Sequence, residues 1–381
     1  MVGSLIMMTA AAFGAPEGNG DVWFEREQLG DVTYESASAV DVNNNGVKDI
    51  VSGEYWFEGP DFETKHKITE IRQEGTYYDS FSDYPMDVNG NGYMDIVTGG
   101  WFNESVRWRE NPEGEPVEWE THDIATVGHV ERPCFWDITG DGHVEIAPNT
   151  PNNPQRIFRL VRDEDGQGTG EFEEHTINTQ DTGHGLGFGD INGNGRGDFV
   201  SANGWFEQPE NPMEDEWPFH ADFELGSASV PILVHDVNGN GLNDLIVGEA
   251  HDYGLYWMEQ KLDENGNRSW EKHMIDPDRS QYHDLRLADI DNDGELDLVT
   301  GKRYWAHQGS DPGAEDPVGL YYFKINGGEF ERVTIDYGPP EEASGAGIYF
   351  WVEDITGNGW KDIIAPGKEG VYLFRNQGVR E

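Results

Sequence analysis

Asp236-Val-Asn-Gly-Asn-Gly-Leu-Asn-Asp244 lies between two runs of strand-forming residues, and its pattern recurs from Asp41, Asp87, Asp137, Asp190, Asp289 and Asp354. Positions three and five carry Asn43 and Asn45, Asn89 and Asn91, Asn192 and Asn194, Asn238 and Asn240, or Asp291 and Asp293. In two copies Thr139 and Thr356 take position three, ahead of Asp141 and Asn358. Position six is Gly, and position nine is Asp49, Asp95, Glu145, Asp198, Asp244, Asp297 or Asp362. Alternate side chains of a tight loop point inward, Gly permits the bend, and a last carboxylate closes the shell, as a hard cation such as Ca2+ requires. An Asx-rich turn can stabilise a hairpin without metal, but such a turn by itself needs no carboxylate at position nine. The seven loops are therefore read as calcium sites.

Strand-like runs flank each loop, such as Ser36–Val42 before the first and Asp49–Trp56 after it, so each loop joins two antiparallel strands. A third strand is visible at Val106–Arg109, Arg156–Leu160, Leu255–Glu259, Leu320–Lys324 and Val371–Arg375. A fourth runs through His122, His175 and His273, which repeat with the unit and are assigned no function. Four strands in a unit of about 50 residues make a propeller blade. The sequence thus predicts an all-β, seven-bladed propeller as one domain over residues 21–378. The last unit stops after its third strand, while Val22–Leu29 reads as an orphan fourth strand. Pairing the two would complete the last blade and close the ring.

These repeats resemble FG-GAP/VCBS repeats, as in integrin-type propellers and many secreted bacterial proteins, and the resemblance covers the chain from Asp21 onward. Extracellular calcium modules bind at about 10⁻⁴–10⁻³ M. A calcium-rich compartment, extracellular or periplasmic, is therefore expected. The first residues, Met1–Ala15, look like the apolar part and cleavage end of an export signal without its basic start.

Composition excludes several partners. The net charge is −49, from 74 acidic and 25 basic residues, and such a field repels nucleic acid and anionic membrane. No segment approaches the roughly 20 apolar residues that insertion into a bilayer needs. Lysine is scarce, which suits either a salty habitat or an acidic secreted protein. The single cysteine, Cys134, rules out an intrachain disulfide.

Chemistry is expected on the face opposite the loops, where the chain leads into the first strand and leaves the second. His129, His184 and His283 read as matched lead-in positions of three blades. Converging on the axis, they would ligate one Zn2+ or another divalent transition metal or form an acid–base set; otherwise each caps its own strand. Trp56, Trp101, Trp205 and Trp305 follow second strands and read either as packing between blades or, with Arg303 and His251, as a sugar-binding wall. Gly183-His184-Gly185-Leu-Gly-Phe-Gly-Asp190 and Tyr282-His283-Asp284 are similar to the propeller domain of aldos-2-ulose dehydratases, enzymes that remove water from keto-sugars such as anhydrofructose. That resemblance implies a central divalent metal and a β-elimination. Asp79 or Asp252 would take the proton, Tyr282 or Tyr78 would protonate the leaving hydroxyl, and Arg132 would add a directed charge. A carbohydrate-active lyase is set against a non-catalytic glycan- or protein-binding module of the adhesion type.

Overall fold

A computed structural model describes residues 22–380; the signal-like segment 1–15 and Asp21 lie outside the described residues. Its strands form seven four-stranded antiparallel sheets, each in sequence order from the axis outward except at the seam. Blade one runs Ser38–Val40, Asp49–Ser52, Tyr55–Phe57 and Lys65–Lys67. Blade three begins at Arg132–Trp136, blade four at Leu186–Gly189, blade five at Leu233–His235 and blade six at Tyr282–Ala288. Blade seven takes three strands from residues 351–379, and its outermost strand is Val22–Gln28. That strand pairs antiparallel with Gly370–Val379, placing Arg26 opposite Phe374, as the orphan sequence predicts. A parallel bridge between Ser36 and Tyr349 ties the inner edges of the first and last blades. The ring is closed.

Alternation along the second and third strands turns one apolar set toward each neighbouring blade. Seven hydrophobic clusters result, one for each junction between blades. Ile50 and Phe57, for example, pack on Ile364 and Leu373 across the seam.

A second repeat lies on the third strands, where Trp and Glu two residues apart share a face. Trp56, Trp108, Trp205 and Trp257 stack on His66, His122, His220 and His273 of the fourth strands, with ring centroids 4.1–4.6 Å apart. Each imidazole also meets the Glu two places after its Trp, at 2.8–3.1 Å. Trp56 and Trp205 are thus blade-packing residues and not part of a sugar wall. Counted from position nine of the loop they stand seven residues on, whereas Trp101 stands six and Trp305 eight. The shift carries Trp101 and Trp305 out of the third strand and into the turn before it.

The loops make tight turns on one face, with the glycine at position six at φ 85–95° in all seven. Asp41 shows their bonding: its carboxylate accepts the backbone N–H groups of Asn45 and Gly46. The carboxylate at position nine accepts the N–H of position two at 2.8–3.0 Å in every loop. In five blades its other oxygen takes an N–H at the far end of the third strand, as Asp95 does from Asn111 at 2.8 Å. A buried carboxylate at position nine therefore has a structural reason apart from any cation: it locks the loop to the third strand.

Candidate functional site

The residue six places before the first Asp of each loop is Glu35, Phe81, Glu131, His184, Val230, His283 or Ile348. All stand on the face opposite the loops, where the inner strands begin. Three of them meet, joined by His251 from the turn after the second strand of blade five. His283 Nε2 is 2.9 Å and His184 Nε2 3.5 Å from Glu131 Oε1, and His251 Nε2 is 3.0 Å from His184 Nε2. One donor atom from each of Glu131, His184, His251 and His283 lies within 4.8 Å of every other. Four successive blades each contribute one.

Hydrogen bonding assigns two of the tautomers. His184 Nδ1 is 2.8 Å from the Ala228 carbonyl, which only accepts, so this nitrogen carries the proton. His251 Nδ1 likewise faces Asp311 Oδ2 at 2.9 Å. In the neutral rings both Nε2 atoms are then lone pairs, turned toward each other at hydrogen-bond distance with no donor between them. Such a pair needs a proton or a cation. Burial, then Arg303, pushes His283 down to about 3, and burial with His184 and His283 also lowers His251. Burial opposes ionisation of Glu131, but His184 and His283 prevail and hold it well below the ordinary carboxylate range. Burial likewise opposes protonation of His184, which Glu131 nonetheless raises. Two neutral imidazoles, a third beside a carboxylate, and that carboxylate suit a first-row divalent metal.

One residue further along each blade, a plug crosses the axis. Arg132 of blade three reaches Asp284 of blade six, 2.5 Å from Nη1 to Oδ1, and lies over the Tyr349 ring of blade seven at 4.6 Å. Arg286 meets the other oxygen of Asp284 at 3.3 Å. Arg132 and Asp284 are buried.

Glu131, alone of the four donors, lines a cavity of about 440 Å³, within the range of small-molecule sites. Tyr77, Phe81, Trp101 and Phe102 give it aromatic lining, and Glu131, Arg303 and His307 line it as well. Arg303 is held by Glu35 at 3.0 Å and stands 3.6 Å from Glu131. A neighbouring cavity of about 270 Å³ is lined by Tyr78, Tyr304, Trp305 and Lys368.

The structure sorts the residues expected from sequence. His184 and His283 converge; His129 does not. It stands eight places before its loop, two short of the matched position, which belongs to Glu131. Its ring stacks flat on Trp101 with centroids 4.4 Å apart, and its side chain is 48% exposed. His251, expected as a ligand-binding residue, completes the donor cluster instead. Trp101 and Arg303 line the larger cavity, while Trp305 and Tyr78 line the smaller.

The other residues expected to move protons stand elsewhere. Asp79 is fully buried, accepts the N–H groups of Phe102 and Asn103 and pairs with Arg107 at 3.2 Å. A Cβ at Gly100 would approach its carboxylate to 2.1 Å, so the turn closes over it. Tyr282 is buried and donates to Asp276 at 3.0 Å. Asp252 is exposed and accepts its neighbour's N–H at Tyr253. Arg132 belongs to the plug. Glu131, Tyr77, His307 and Asp311 are the functional candidates that sequence reading passes over; only Glu131 has a signal, its register with His184 and His283.

Comparison with known proteins adds the repeat family. Residues 236–300 match the FG-GAP-like repeat. They run from the loop of blade five into the second strand of blade six. No curated protein sequence matches the chain. Among solved structures it is similar to an auxiliary nutrient binding protein from Bacteroides ovatus, at 10% identity and a TM-score of 0.47, covering 94% of this chain and 78% of that one.

Proposed function

We propose that the propeller holds one divalent transition metal between Glu131, His184, His251 and His283, and acts there on a small oxygen-rich ligand, a keto-sugar or related saccharide, by β-elimination. The observation that carries the reading is the convergence of one donor atom from each of Glu131, His184, His251 and His283, all within 4.8 Å of one another. A bound metal would supply Lewis acidity toward a ketone oxygen. In the elimination, the C–H bond beside the ketone gives its proton to a base and its electron pair to a new C=C bond, the β C–O bond breaks, and the hydroxide leaves as water with the proton the base hands on, giving an enone. His307, which also lines the cavity, is the candidate base for that proton, and Trp101 and Tyr77 offer flat faces to sugar C–H groups.

A second reading, a non-catalytic saccharide- or protein-binding module, is favoured by one observation: Asp79, Tyr282 and Asp252 all lie away from the cavity. Incubation with anhydrofructose and related keto-sugars separates the two. The lyase reading expects enone absorbance to grow with wild-type protein and not with His184→Ala. Calorimetric binding without any enone would replace it with a saccharide-binding module, and neither signal with any of these sugars would contradict both of these and leave the protein-binding module.

Calcium at the loops, and with it an extracellular or periplasmic location, belongs to the same proposal. At the Asp289 loop, burial and then Asp291 and Asp293 push Asp297 up to about 7, a carboxylate crowding that a cation relieves. Thr139 and Thr356 donate to the carboxylates at position nine of their loops, at 3.2 and 3.1 Å, and those two blades are expected to bind most weakly. With 10⁻⁴–10⁻³ M affinities, about 10 mM Ca2+ stabilises the fold by roughly 1–3 kcal/mol per occupied site. Thermal unfolding in calcium and in chelator checks this; an unchanged midpoint contradicts it.

A further inference from the structure

Between the second and third strands of blade six the chain makes a long excursion over the cavity. Trp305, His307 and Gln308 all sit in the left-handed region there, at φ 53°, 46° and 56°. Backbone of this kind costs on the order of 1–3 kcal/mol per residue and persists where the surroundings enforce it. Here the enforcing contacts are visible. The N–H of His307 donates to the Tyr77 hydroxyl, and the N–H and hydroxyl of Ser310 both donate to the His307 carbonyl. The turn delivers Asp311, which is 11% exposed, between two imidazoles. Its Oδ2 takes His251 Nδ1 at 2.9 Å and its Oδ1 takes His307 Nδ1 at 2.8 Å, while the two rings stack with centroids 4.4 Å apart.

We propose that Asp311 is the positioning residue of the central site: one carboxylate fixes His251 with Nε2 turned toward the other three donors and holds His307 against that ring at the cavity edge. The inference rests on reading the cluster as a cation site. A carboxylate on the remote nitrogen of a ligating imidazole sets its tautomer and orientation and raises its basicity, and losing such a partner lowers metal affinity about 10–100-fold. His307 is held by the same carboxylate but is no member of the four-donor cluster.

The test is Co2+ titration of chelator-stripped full-length protein, read by visible d–d absorption and by competition with a chromophoric chelator. Asp311→Asn is expected to bind Co2+ about 10–100-fold more weakly than wild type and with a shifted absorption band. Asp311→Glu, which keeps the charge, is expected between the two. His307→Gln, which leaves the carboxylate and His251 in place, is expected to retain wild-type affinity and spectrum. Unchanged affinity in Asp311→Asn, with wild type loading normally, overturns the positioning role alone. A deeper loss in His307→Gln than in Asp311→Asn overturns it too, by making His307 the ligand. Wild type that takes up no Co2+ contradicts the cation site itself, and the role of Asp311 with it.

Discussion

Asp284→Ala is expected to destabilise the propeller by about 3–5 kcal/mol, the cost of leaving a buried charge without its partner. Among the described residues Asp284 is the only carboxylate paired with the Arg132 side chain, and it also neutralises Arg286 and accepts the N–H of Phe350 at 3.0 Å. Removing it strands a guanidinium in the interior, where 2% of the Arg132 side chain reaches solvent. The effect is global because Arg132 spans blades three, five and six, bonding the Val230 carbonyl as well as Asp284. Asp284→Asn keeps an acceptor for Phe350 and is expected to cost less. Equilibrium urea unfolding reads both. A loss below about 1 kcal/mol for the Ala variant, the size of an ordinary substitution, contradicts the plug.

The second large effect concerns metal uptake. Structural zinc sites release roughly 10–16 kcal/mol, so one ligand of four accounts for about two to three orders of magnitude in affinity. Glu131→Gln and His184→Ala are each expected to lose that much, whereas His129→Ala is expected to change nothing. The contrast between Glu131 and His129, two residues apart in one lead-in segment, isolates the geometry from the composition of the segment. Equal losses in Glu131→Gln and His129→Ala, followed by chelator competition, would show that the converging set has been drawn wrongly.

The architecture was legible because it is written seven times. Gly at a fixed place in each loop, apolar runs on both sides and an orphan strand at Val22 leave few arrangements other than a closed ring. The site was legible only in part. His184 and His283 announce themselves by residue type, but the third member of their set is a glutamate in a chain with 74 acidic residues, where one more carries little signal. Counting back from the loop aspartates finds it; looking for histidines finds His129 instead. Trp56 and Trp101 show the same lesson from the other side, since a displacement of one residue along a strand end decides between blade packing and cavity wall. Asp311 and His307 had no sequence signal at all. Both belong to an irregular turn of blade six that no other blade repeats, and their placement follows from contacts with Tyr77 and His251 that only the closed ring creates. The position-nine carboxylate was read for its charge, while its hydrogen bonds to the third strand depend on a pairing that the nonapeptide alone does not display.

The central claim is that four blades aim their donor atoms at one point. Anomalous diffraction from crystals of the full chain, recorded on both sides of the absorption edge of the metal found in the purified protein, tests it directly. The account predicts one strong peak enclosed by Glu131 and the imidazoles of His184, His251 and His283. A map with no peak there, or with density only at outer-strand pairs such as His122 and Glu110, would contradict it.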